Sequence, residues 1–425
     1  MSAAAPVSRG VVGLLFAYGF CNAAAYIASR AVADSLFLSH IGPAQLPRMF
    51  VLTAIAAAAA ATLHARLAER VGTHTLLSST LSLSAIAYFL LPGQAELRPD
   101  SLWIFGGVIL LTEIRGVLGS IHLATLLHEH VPGDQSPRVV GVVGLGATLG
   151  GLSLGVLVAA LSDVLEGEKM LYFSAAFDLA AVALAAGLRG SPRAHRPPIV
   201  APKGDSGQAR DLPRLREIWG SPAVRGLALA TFAAVTVALL IDFRWKYTIA
   251  AVYSRDEHDL TKYFGYFYGG VYLMTGLLQL AVAGKLLERF GPFPCLLAFP
   301  SGLLLAVGVT IGAEGKFLLT SEMSLMKGCD ALRRGLYDPA VQVVYSRLPE
   351  SLRRPAIAFL SGVVKPPTEA AVSLTLLFLA PNWSDDFLLG ITLGALALWL
   401  YLLIRLRPDL ANGSFGAQGD DDATS

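Results

Sequence analysis

The stretch GLALATFAAVTVALL, residues 226–240, carries no ionisable side chain over fifteen positions. A helix of about 20 apolar residues crosses the hydrocarbon of a bilayer at 1.5 Å per residue. Inside lipid each backbone N–H and C=O must be satisfied within the chain, so an isolated apolar run of this kind folds as a helix. Twelve such runs occur, at roughly 11–37, 49–65, 75–91, 101–127, 139–161, 170–188, 223–250, 263–284, 292–312, 316–345, 356–379 and 387–404. They dictate an all-α membrane protein with twelve transmembrane helices. Composition agrees: 54% of the 425 residues are hydrophobic and 15% charged, against about 25% charged in soluble domains. The formal net charge of +2 gives no argument for a nucleic-acid partner. The lipid bilayer and a small-molecule substrate are the expected partners. Cys21, Cys295 and Cys329 are scattered and odd in number, which suggests neither a disulfide framework nor a metal site. No catalytic constellation and no cofactor motif is expected. The apolar run after Arg9 outlasts a signal peptide and reads as an uncleaved first helix.

The one long hydrophilic interruption is residues 189–219, rich in Pro and Arg, between the sixth and seventh runs. Its end, DLPRLREIW, reads as a short interfacial helix. The chain thus divides into an N-terminal six-helix half (1–188), a cytoplasmic linker (189–219), a C-terminal six-helix half (220–404) and a cytoplasmic tail (405–425). The halves repeat. RLAERVG, residues 66–72, follows the second run, and KLLERFG, residues 285–291, follows the eighth. Equivalent placement in two halves of like topology resembles the parallel-repeat plan of the major facilitator superfamily. The expected fold is therefore two pseudo-symmetric six-helix halves.

Charge within the runs is confined to a few helices. The first has Arg30 and Asp34; the fourth Glu113 and Arg115; the sixth Asp178. The seventh has Asp242, Arg244 and Lys246. The tenth has Glu322, Lys327, Asp330, Arg333, Arg334 and Asp338, and the eleventh Lys365 and Glu369. In the major facilitator plan the first, fourth, seventh and tenth helices line the central cavity. A charge at membrane depth costs several kcal/mol unless it is paired or wetted. Arg30/Asp34, Asp242/Lys246 and Lys365/Glu369 are each four apart, so each pair shares a helix face. Lys327, Asp330, Arg334 and Asp338 follow at steps of three, four and four, and Arg30 is expected to reach an acid on another helix too. Arg244, about 200° around the helix from Asp242, points elsewhere. The groups balance, eight cations to eight acids, so the set does not name the sign of a substrate. Substrate contact is assigned to Arg30, Glu113, Asp242, Lys246, Lys327, Arg334 and Lys365. Gating or ion coupling is assigned to Asp34, Arg115, Asp330, Asp338 and Glu369.

Gly146/Gly150 and Gly151/Gly155 are small-xxx-small pairs suited to close helix packing; GVVGLGATLGGLSLG lacks the ending of a phosphate loop. Pro366 and Pro367 in VVKPPTEA, residues 363–370, predict a break from which Lys365 projects. His128 and His130 face apart on a helix and form no metal site.

Several motifs resemble the nucleotide translocase (ATP/ADP antiporter) family of plastids and intracellular bacteria. They are SRAVADSL (29–36), LTEIRG (111–116), VVGLGATLGG (142–151), LIDFRWKY (240–247) and GLYDPAVQVVY (335–345). The resemblance implies a cavity with Arg30, Asp34, Glu113, Asp242, Trp245, Lys246 and Asp338 around it. It also implies exchange of nucleotides or phosphorylated compounds. Two of the family's lysine positions are Ala33 and Val341 here, which removes two contacts each contributing about 1.5–3 kcal/mol. The expected function is a multi-pass secondary transporter of a polar or charged metabolite, not an enzyme, working by alternating access. A non-transporting scaffold or sensor of the same fold is the first alternative. A proton-coupled exporter of organic solutes, protonated at Asp34, Glu113 or Asp242, is the second.

Lys and Arg in the connections number 18 on one side and 6 on the other if the N-terminus is cytoplasmic. Both termini are therefore expected inside, with a bacterial inner membrane as the default location. Cysteine tags in the 189–219 linker and at Asn382 should label from opposite faces of the membrane. Labelling from one face would remove the twelve-helix topology.

Overall fold

In the computed structural model, residues 7–68, 70–131, 136–191, 219, 222–310, 316–348, 350–380 and 383–412 are described. The helices run in twelve segments. They are α1 (Arg9–Ile41), α2 (Pro43–Ala68), α3 (Thr73–Leu97), α4 (Leu102–His130), α5 (Ser136–Leu161) and α6 (Gly167–Arg189). Then follow α7 (Pro222–Val252), α8 (Glu257–Phe290), α9 (Pro292–Thr310), α10 (316–347), α11 (350–379) and α12 (Asp385–Asn412). Nine of the described helices, α1–α8 and α12, are long and apolar enough to cross a membrane. The other three are shorter or interrupted. The fold is all-α and membrane-spanning, as the apolar runs dictate. Most of the linker and residues 413–425 of the tail lie outside the described residues, as does DLPRLREIW apart from Trp219.

The chain folds into two compact units. One is Met1–Ala201 with Ile249–Gly276, the other Pro202–Thr248 with Leu277–Ser425. Helices α7 and α8 each contribute to both. In the first unit α1 is the buried centre, packed on α4, α5 and α6. Ser8 begins it, its Oγ accepting the Val11 N–H at 3.3 Å. Leu15, Tyr18, Leu77, Leu81, Leu126, Val143, Ala181 and Leu188 form the apolar core around it.

Glycines set the spacing of α5. A Cβ at Gly146 would meet the Phe16 carbonyl of α1 at 2.5 Å, and one at Gly150 would collide with the Phe20 carbonyl. On the opposite face, a Cβ at Gly155 would meet the Gly265 carbonyl of α8 at 2.6 Å. The two small-residue pairs thus bring two different helices to backbone contact, which is the packing role their spacing predicts. Residues 249–276 join the first unit partly through this Gly155–Gly265 contact.

In the second unit Trp399 of α12 is fully buried against Phe299 of α9 and Tyr337 of α10. The ring centroids are 5.4 and 5.5 Å away in edge-to-face geometry, a favoured arrangement for aromatic pairs.

Four π-turns interrupt the described helices, at Phe37–Ile41, Gln279–Ala283, Arg333–Tyr337 and Leu360–Val364. Two of them precede prolines, Pro339 and Pro366/Pro367. A proline has no N–H for the carbonyl four residues earlier, so the chain widens its turn ahead of it. In α10 one loosened carbonyl, that of Arg334, accepts from Gln279 Nε2 at 3.2 Å. The expected unwinding at VVKPPTEA is corrected accordingly: a π-turn absorbs the prolines, and Lys365 opens a regular helix, Lys365–Leu379, with proline in its first turn.

Arg115 of α4 fastens three helices. Its Nε and Nη2 donate to Asp178 Oδ1 of α6 at 3.0 and 2.6 Å, and its Nη1 donates to Asn22 Oδ1 of α1 at 2.7 Å. Both charges are buried, Arg115 3% and Asp178 0% exposed. Removing one partner of such a pair leaves an uncompensated charge, at a cost of about 3–5 kcal/mol. Asp178→Leu should therefore lower the thermal midpoint in detergent markedly, and Arg115→Met added to it should recover most of the loss. A double variant no more stable than the single would remove the pairing account.

Candidate functional site

Besides the Arg115–Asp178 pair, each unit holds a buried set of charges among the described residues. In the first unit, Arg30 and Asp34 lie one turn apart on α1. Arg30 Nε donates to Asp34 Oδ2 at 3.1 Å. Arg30 Nη1 pairs with Glu113 Oε1 of α4, so the arginine does reach an acid on another helix. Asp34 is 2% exposed. Its Oδ2 also accepts the Tyr268 hydroxyl of α8 at 2.5 Å, and the Tyr268 oxygen lies 3.4 Å from Arg30 Nε. Tyr268 was not expected from the sequence. Its only linear signal is a spacing on α8: it follows Thr261 by seven residues, two turns on the same face.

In the second unit, Asp242 of α7 stands between two lysines. Lys246 Nζ approaches its Oδ2 at 3.3 Å from the next turn, and Lys327 Nζ of α10 approaches its Oδ1 at 2.7 Å. Lys327 also meets Asp330 at 3.0 Å, and Arg333 Nε meets Asp330 at 3.6 Å. Trp245 is fully buried. Lys327 Nζ lies 5.5 Å from its ring centroid, within cation–π range. The tryptophan is thus a packed wall beneath an ammonium. Arg244 joins none of these pairs, as its position on the helix requires.

The stripe expected along α10 is interrupted. A break at Cys329 and the π-turn Arg333–Tyr337 offset the second part of the helix from the first. Asp330 pairs with Lys327 and Arg333, and Asp338 is exposed. Lys365 and Glu369 do face each other, at 3.8 Å, with Lys365 more than half exposed. Of the expected residues, the structure joins Arg30, Asp34 and Glu113 in one set. It joins Asp242, Lys246, Lys327 and Asp330 in the other. Arg115 sits apart with Asp178 in the packed interior. Among the described residues, no group of three or more His, Cys, Asp or Glu is placed to hold a metal ion.

Chemically, both sets contain ions that serve more than one partner: Arg30 meets Asp34 and Glu113, Asp242 meets Lys246 and Lys327, and Lys327 also meets Asp330. An ion with two partners can exchange one of them for a newcomer while its contact with the other stays in place. Such sets can exchange an internal contact for a bound ion or charged substrate, which a one-to-one pair does only by exposing a bare charge.

Solved structures similar to this chain include several transporters. A point mutant of the nucleoside transporter NupG aligns with TM-score 0.65 at 12% identity, over 94% of this chain and 99% of the other. A bacterial homologue of the iron transporter ferroportin, in an inward-facing state, aligns with TM-score 0.65 at 13% identity, over 93% and 98%. A D-xylose–proton symporter aligns with TM-score 0.63 at 13% identity, over 96% and 98%. At these identities the likeness is one of fold. No curated protein matches the sequence. Residues 11–321 match the family described as Major Facilitator Superfamily, and the chain belongs to that superfamily of membrane transporters.

Proposed function

We propose that the protein is a secondary transporter of an anionic metabolite, working by alternating access, with nucleotides or phosphorylated compounds as the first substrate class to test. One observation carries this reading: Asp242 is clamped between Lys246 and Lys327 at 3.3 and 2.7 Å, deep within the helices. An anion entering the site replaces the carboxylate on one ammonium while the other stays neutralised. The buried Trp245 ring beside Lys327 provides an apolar wall for a planar group. The resemblance of LIDFRWKY to the nucleotide translocase motif points the same way. With Ala33 and Val341 at two of that family's lysine positions, the site suits an anion of fewer charges than a nucleoside triphosphate. The Arg30–Asp34–Glu113 set serves as the coupling element, in exchange with a counter-substrate or an ion. We place both termini and the linker in the cytoplasm of a bacterial cell, on the cation bias of the connections.

Purified protein in proteoliposomes should take up one or more labelled anions from a panel of ATP, ADP, AMP, inorganic phosphate, a sugar phosphate and glutamate. Lys246→Gln and Lys327→Gln should each lower that uptake at least about tenfold, the size of one lost charge-assisted contact. Uptake restricted to neutral nucleosides or sugars would overturn the anion reading. A second reading, proton-coupled export of organic solutes, draws on the buried Asp34 with its Tyr268 donor. A protonophore that abolishes transport in the absence of counter-substrate would favour it.

A further inference from the structure

The residues from Glu257 to Tyr268 dock on the first unit through a row of polar contacts that the charge sets do not explain. Glu257 is its hinge-pin. Its Oε1 accepts the Gly167 N–H at the start of α6 at 2.9 Å. Its Oε2 faces His40 Nε2, in the π-turn that ends α1, at 3.1 Å. Its backbone carbonyl accepts the Ser35 hydroxyl at 3.0 Å. Since that proton is committed, the Thr261 hydroxyl, 2.6 Å from Ser35 Oγ, must be the donor in their contact. Ser35 and Thr261 are wholly buried. Alongside, His258 Nδ1 donates to the Ser162 carbonyl at 2.5 Å and Lys262 reaches Asp163 at 2.6 Å.

The connection leading into this row is strained. Ser254 and Arg255, neither of them glycine, hold φ of 55° and 60° in succession, a conformation L side chains rarely adopt. The Arg255 guanidinium packs onto Gly42, itself at φ 92°, in the space a Cβ there would fill. A strained connection persists only where its surroundings hold it. The row from Glu257 onwards supplies that hold.

We propose that Glu257 is a positioning residue of the transport cycle, the latch that keeps residues 254–268 docked on α1, α5 and α6, and that His40 makes the latch sensitive to pH. The ring of His40 is held in place on its other side by Phe105, stacked at 4.4 Å and 7°. The Pro99 carbonyl faces it as well. Among the described residues, Glu168 on the turn opening α6 acts on His40, and His258 on α8 acts on Glu257. As imidazolium, His40 gives Glu257 a charge-assisted bond; as imidazole, a weaker neutral one. An imidazole ordinarily titrates near pH 6.5. The latch is therefore tightest with His40 charged and Glu257 ionised, and it loosens as rising pH removes the imidazolium proton. A solute gradient that acidifies one side would bias the docked state.

The test needs no substrate, so its failure is distinguishable from failure of the anion reading. With Cys21, Cys295 and Cys329 replaced by alanine, spin labels on Val164→Cys and Tyr266→Cys, both exposed and both in the first unit, report the docking distance in lipid nanodiscs. At pH 6 one short distance should dominate, and at pH 8.5 a longer population should grow several-fold. His40→Gln should make the distribution independent of pH across this range. Glu257→Gln should populate the longer distance at both pH values, and Glu257→Asp should restore part of the short one. A pH response that survives His40→Gln removes the switch. A Glu257→Gln variant that stays docked removes the latch. Should Glu257→Gln fail to fold, the Glu257→Asp distances decide the latch in the same way.

Discussion

A charge in the hydrocarbon of a membrane must be neutralised where it stands, and this requirement organises both units of the protein. Each ionised side chain brought inside costs several kcal/mol in isolation. The chain meets the cost first within single helices, by placing opposite charges four residues apart at Arg30/Asp34 and Asp242/Lys246. It then adds a third charge from a neighbouring helix, Glu113 in one unit and Lys327 in the other. In each set one ion serves two partners, Arg30 in the first and Asp242 in the second, and Lys327 extends the second set to Asp330. Arg115 with Asp178 and Asn22 shows the contrasting solution: a one-to-one ion pair sealed in the packed interior, where it fastens three helices.

Backbone proximity supplies what charge pairing cannot. Gly146 and Gly150 let α5 lie directly on α1, while Gly155 lets it meet α8 from the other side. Contacts between backbones in lipid depend on packing and on local hydrogen bonds. The Glu257 contacts add such hydrogen bonds from the start of α8 to α1 and α6. A smooth glycine surface with polar ties at its end is held by a few bonds and can be released by breaking them. That is a mechanical arrangement suited to a transporter, whose cycle requires helices to part without disturbing their cores.

Much of this was legible in the sequence, for physical reasons. Twelve apolar runs mark twelve helices because lipid leaves the backbone no other option. The intrahelical pairs were legible because a four-residue spacing fixes a shared face. The glycine pairs announced close packing, though not which helices they receive. What escaped notice required three dimensions or a departure from the regular helix. Lys327 joins Asp242 only because α10 packs on α7. Tyr268 joins Asp34 only because α8 is drawn against α1. Arg333 joins Lys327 on Asp330, each of them three residues from it along α10. Glu257 was passed over because its charge places it before the apolar run of α8, in what reads as a connection.

The central claim is that Asp242 neutralises two buried lysines at once, and its removal measures this most directly. Asp242→Asn leaves Lys246 and Lys327 close together with one carboxylate fewer. The thermal midpoint of that variant in nanodiscs should fall by several degrees, the scale set by leaving a buried charge uncompensated. Adding Lys246→Gln should return most of the loss, because Lys327 keeps Asp330. A single variant as stable as the parent, or a double variant with no recovery, would contradict the shared-carboxylate account.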